Sequence, residues 1–75
     1  MDNAELDRIR QAYKDAVDGW IKTIRKEEAL ATPDYSVHAW DIWERAGFAE
    51  EEAREKAQAA KEEYENALRE ADYGI

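Results

Sequence analysis

Seventy-five residues without a cysteine, at a formal net charge of -8, make one domain at most and exclude a disulfide scaffold or a thiolate metal site. An isoelectric point near 4.6 means that a phosphate backbone repels the chain, so a nucleic-acid partner is excluded. Charged residues make up 40% of the chain, a level compatible with disorder, but 44% hydrophobic residues, three tryptophans among them, argue for a folded core.

The expected setting is soluble and cytoplasmic. No apolar run approaches the ~20 residues of a transmembrane span, so no membrane partner is expected. Met1 to Glu5 lacks the basic and apolar regions of a secretory signal. The charge is unevenly placed: residues 1–31 sum to -1 and residues 32–75 to -7.

The first helix is predicted over 2–31. Asp2 and Glu5 have the spacing of a capping box, in which the cap side chain takes an orphan amide and the Glu reaches back. Leu6, Ile9, Tyr13, Ala16/Val17, Trp20, Ile24 and Ala31 follow at spacings of three and four, which put them on one face. Ile21 and Leu30 widen the stripe. Lys22, Arg25 and Lys26 stand near the end that favours cations. Gly19 is an interior cost of ~1 kcal/mol relative to Ala, and the pattern runs through it. Pro33, the only proline, disfavours helical backbone at Thr32 and ends the helix there.

A turn over 32–36 leads into a second helix over 37–72. Three starts compete: Thr32 with Pro33 at the first position, Asp34, or Ser36 with Tyr35 and Trp40 closing a hydrophobic staple. Ala39, Trp43, Ala46, Glu50, Ala53, Ala57, Ala60, Tyr64, Ala67 and Ala71 then alternate spacings of four and three, the sign of a heptad seam. Four acid-before-base pairs, Asp41–Arg45, Glu50–Arg54, Glu52–Lys56 and Glu65–Arg69, support the outer faces. Gly47 could cap a helix end, but the phase passes from Ala46 to Ala53 without a slip and no new N-cap residue follows, so one helix is expected.

The predicted fold is therefore all-α, an antiparallel two-helix hairpin. A tight turn makes opposed residue numbers sum to roughly 68 by equal rise on both sides. Leu6 and Ile9 then meet Ala60 and Ala57, Tyr13 meets Ala53, Ile24 meets Trp43, and Trp20 takes the room left by Gly47. A single neighbour cannot cover this much apolar surface. Surplus patches of this kind mark interfaces, so a homodimer forming a four-helix bundle is expected. Its interface candidates are Trp20, Ile24, Trp40, Trp43, Phe48, Ala53, Ala57 and Ala60.

Candidate chemistry is sparse. His38, with Asp34 four residues before and Asp41 three after, is a weak metal candidate, with Glu27 or Glu28 across the turn. The Glu-x-x-His spacing of di-iron bundles is absent. Ser36, His38 and Asp41 have the residue types of a hydrolase triad. However, residues two apart point to different sides of a helix, and no glycine-rich turn supplies an oxyanion hole. Glu50-Glu51-Glu52 and Glu62-Glu63 read as solvated helix faces.

Trp43-Glu44-Arg45-Ala46-Gly47 is similar to the Trp-x-Gly of WXG-type secreted hairpins but two residues longer and inside a helix. Thr32-Pro33-Asp34 faintly resembles the turn of type III needle subunits. Each likeness covers a few residues and implies nothing for site residues. The expectation is a non-enzymatic, self-associating interaction module without a cofactor, open to a further protein partner. The alternative is a bundle that binds a metal or small ligand through His38 or the aromatic end.

Overall fold

The computed structural model describes residues 2–71, and these form two helices packed on each other, α1 (Asn3–Ala29) and α2 (Val37–Glu70). The predicted end of the second helix at residue 72 lies outside the described residues. α1 starts where the capping pattern places it: Asp2 Oδ1 accepts the Glu5 amide at 2.8 Å. The Glu5 carboxylate faces Arg8 at 3.6 Å. α2 runs unbroken through Gly47.

From Ala46 onward the seam of α2 is the expected heptad, but Trp43, expected in it, is exposed. Ala46, Ala57 and Ala67 are buried, and Glu50, Ala53, Ala60 and Tyr64 are half-buried between them. On α1 the observed seam is Leu6, Ile9, Tyr13, Ala16, Trp20, Thr23, Glu27 and Leu30, with Ile9 only 5% exposed. The expected continuation through Ile24 and Ala31 is wrong, since both are exposed. A straight-helix stripe drifts from a 3.5-residue seam, and packing against a heptad partner keeps the strict phase, which lands on Thr23 and Glu27.

The register also differs from the midpoint estimate. Tyr13 stacks on Tyr64 with ring centroids 5.9 Å apart and planes at 25°. Glu27 Oε2 lies 2.9 Å from where a Cβ on Gly47 would stand. Opposed numbers therefore sum to about 74–77 rather than 68. Trp20 does not sit over Gly47, and Ile24 does not meet Trp43. A heptad seam returns to the same face after seven residues, so sliding one helix by a heptad preserves every facing position. The slide pairs Ala67 with Ile9 and Tyr64 with Tyr13, residues that a tight turn would leave uncovered. Large side chains of α1 stand opposite small ones of α2, which lets the backbones approach.

The slide has a geometric consequence. α2 spans ~51 Å at 1.5 Å per residue, close to the 53 Å long axis of the molecule. Its first turns, residues 37–45, run past the end of α1. The linker, residues 30–36, climbs back along this overhang. Seven residues reach up to ~23 Å when extended, enough for the ~13 Å required.

Candidate functional site

The three competing helix starts all take part in the linker. The Thr32 hydroxyl accepts the Asp34 amide at 3.4 Å. Asp34 Oδ1 accepts the Ser36 amide at 3.0 Å. Ser36 Oγ accepts the Ala39 amide at 3.2 Å and is the N-cap of α2. Short polar side chains that bond a backbone amide two or three residues on are what make these residues good turn and cap formers. The relay orders the linker and feeds it into the helix. The expected staple does not close, because Tyr35 is 91% exposed.

The Ser36 backbone amide, then the Ser36 side chain, hold the Asp34 carboxyl below the usual range. The charge of His38 acts the same way more weakly, against a small opposing effect of desolvation. Asp34 thus belongs to the linker relay and not to the helix face that His38 and Asp41 share. Among the described residues, no group of three or more His, Cys, Asp or Glu side chains could hold a metal ion. The Ser36 hydroxyl is engaged as a cap, and no hydrogen bond joins it to His38 or Asp41.

The expected interface residues separate into two sets. Ala53, Ala57 and Ala60 are consumed by the α1–α2 seam. Trp20 is half-buried there too, and its buried Nε1 has no hydrogen-bond partner. Ile24, Trp40, Trp43 and Phe48 are exposed, Phe48 by 61%, and Ile21 and Val37 join them. Trp40 and Trp43 lie against each other, centroids 6.0 Å apart at 33°. With the linker they line an open concavity of about 780 Å³.

The seam beneath this patch is polar. Thr23 satisfies its hydroxyl by donating to the Trp20 carbonyl at 2.6 Å. Glu27 lies across Gly47, where the missing side chain leaves space for its carboxylate. Glu50 has one buried oxygen, Oε2, without a partner. At the linker end the usual order is thus inverted, with carboxylates at seam positions and isoleucines and aromatics outside. The strict heptad continuation from Trp20 through residues 23, 27 and 30 was the signal in the sequence for this, hidden by the apolar Ile24.

Of the expected acid–base pairs, Glu52–Lys56 closes at 3.7 Å. Glu65 pairs with Lys61 at 3.9 Å instead, and Arg69 donates to Asn66 at 2.8 Å. Among the described residues no helix is long and apolar enough to cross a membrane. No protein-family model, curated protein or solved structure matches the chain.

Proposed function

We propose that this chain is a non-catalytic interaction module that self-associates through its linker half, two hairpins forming a four-helix bundle. The observation that carries this reading is the inversion: Ile21, Ile24, Trp40, Trp43 and Phe48 are exposed over a seam that holds Thr23, Glu27 and Glu50. Contiguous apolar patches on small domains mark docking surfaces. At about 25 cal/mol per Å², covering several hundred Å² of this patch contributes several kcal/mol gross. Association entropy offsets much of that, which places the expected dissociation constant in the micromolar range. A cytoplasmic setting goes with the proposal, and so does an additional protein partner that uses the same patch.

Sedimentation equilibrium from about 1 μM to about 1 mM protein tests it, a range set by the expected affinity. Two chains of charge -8 repel each other, so raising salt should tighten the dimer by screening. A folded monomer throughout that range rejects self-association. The linker concavity favours a second reading, a small apolar ligand held against Trp40 and Trp43. A thermal shift with apolar probes, at a protein concentration that keeps the chain monomeric, separates the two.

A further inference from the structure

The two sides of the seam are unlike. One side, here called the front, carries Val17 and Trp20 beside Arg54 and Lys61, and continues through Glu27 to Trp43 and Phe48. Ile24 follows Trp20 by one turn and Ile21 follows Val17 by one turn, so both flank the front. The other side presents Ala16, Gly19, Ala49, Glu52 and Lys56, which are small or charged. The exposed large apolar residues of α1, and the paired tryptophans of the overhang with Phe48, therefore belong to the front.

We propose that two copies pair front to front with their linker ends together, so that α1 of each lies on α2 of its partner. The pairing presupposes the self-association proposed above. Two twofold arrangements bring the fronts together. An axis across the hairpin lays α1 on α1 and α2 on α2, head to tail. An axis along the hairpin lays α1 on α2 with the linker ends side by side. A closed twofold dimer repeats each contact twice, so its electrostatics are set by which helix faces which.

Charge selects the second arrangement. α1 (Asn3–Ala29) carries six acids and six bases, net zero, and α2 (Val37–Glu70) carries ten acids and five bases, net -5. Facing α2 with α2 brings together two rods of the same sign, and facing it with α1 does not. The tryptophans agree. With linker ends together, Trp40 and Trp43 of each overhang, which no α1 covers, meet across the axis. Size agrees as well. The face is 53 Å by 14 Å between Cα extremes, comparable to the ~800 Å² per partner of a standard interface, so the partner must cover most of the length.

The register of the hairpin then fixes the contacts. Numbers opposed across the seam sum to about 76, and the lengthwise axis preserves level, so Arg25, one turn beyond Ile21 at the edge of the front, comes level with Glu51 of the partner subunit. Ile24 lies about one turn from the level of Phe48 of the partner subunit, and Ile21 about two turns. Neither Arg25 nor Glu51 has an ion partner among the described residues of its own chain. Other described charged residues also lack an ion pair; it is the shared level that singles out Arg25 and Glu51, which meet only in the dimer and do so twice.

The test is a charge-reversal cycle, with the dissociation constant read by sedimentation equilibrium and folding checked by circular dichroism. Arg25→Glu should weaken the dimer about five-fold or more, from two like-charge contacts of surface strength. Glu51→Arg should weaken it by a similar factor, although it brings the net charge of the chain two units closer to zero from -8 and would tighten a dimer governed by general repulsion. The double variant, at the unchanged net charge, should recover an affinity near that of the starting chain. A dimer in which Glu51→Arg tightens binding, or in which the double variant is no better than the singles, overturns this pairing and leaves self-association standing. A chain that stays monomeric at every concentration overturns both.

Discussion

The terminal half and the linker half of this hairpin share one heptad seam and fill it in opposite ways. Toward the termini, Ile9 is buried against Ala67, Tyr13 stacks on Tyr64, and the outer faces carry exposed ion pairs such as Asp7–Arg10 at 3.1 Å. Toward the linker, Thr23, Glu27 and Glu50 occupy the seam while Ile24, Trp43 and Phe48 stand outside. The first half follows the ordinary amphipathic rule and holds the hairpin closed. The second half departs from it, and such departures are expected where function overrides local stability.

Substitutions in the two halves should therefore have different effects. Ile9→Ala empties a buried site in the closed half and should cost about 2–4 kcal/mol, read as a large fall in melting temperature at low concentration. Ile24→Ala, on a side chain 38% exposed, should change the dilute melting by under about 0.5 kcal/mol while weakening self-association. Equal thermal losses from both would break the distinction between the halves.

Glu50→Leu should sharpen the contrast. It removes a buried oxygen without a partner and restores an apolar seam residue, so the dilute hairpin should gain about 1 kcal/mol. A loss of stability would mean that the Glu50 carboxylate has a structural role that the seam requires.

The glycines give smaller effects. A Cβ on Gly19 meets nothing within 4 Å, so Gly19→Ala should gain up to ~1 kcal/mol of helix propensity. On Gly47 it would stand 2.9 Å from Glu27 Oε2, the end of a flexible side chain that can move aside, so Gly47→Ala should gain less. Gly47→Leu should destabilise. If Gly47→Ala matches Gly19→Ala in thermal unfolding, the approach of Glu27 has no energetic weight.

The smallest effect is in the linker. Hydrogen bonding to Ser36 depresses the folded pKa of Asp34. Its contribution is fully present above the ordinary Asp pKa and is lost as pH falls through the depressed value. In an acid titration followed by NMR, exchange protection of the Ser36 amide should disappear in that acidic window. Asp34→Asn should reduce the pH dependence of that protection.

Much of the fold was legible in the sequence. The Asp2 cap, the break around Pro33, the unbroken second helix and its seam from Ala46 to Ala67 all follow from residue type and spacing. The register was not legible, because a heptad pattern is unchanged by a seven-residue slide and the reach of the linker is set by Thr32, Asp34 and Ser36 acting together. The path of the α1 seam past Trp20 was obscured because Ile24 satisfies the hydrophobic stripe and Thr23 does not, while packing against α2 enforces the heptad. The same effect placed Trp43 opposite Ile24 in the seam, although Trp40 and Trp43 lie on or beside an overhang that α1 does not reach.

The most direct measurement of the difference between the halves is acrylamide quenching of variants that each retain one of Trp20, Trp40 and Trp43, followed over protein concentration. Trp20 should be shielded at every concentration. Trp40 and Trp43 should be readily quenched in dilute solution and should become shielded as the dimer forms, over the same range in which the mass doubles. Tryptophans 40 and 43 shielded in the dilute monomer, or still open to quencher after the mass has doubled, would contradict the claim that the linker half presents its hydrophobic residues to a second copy of the chain.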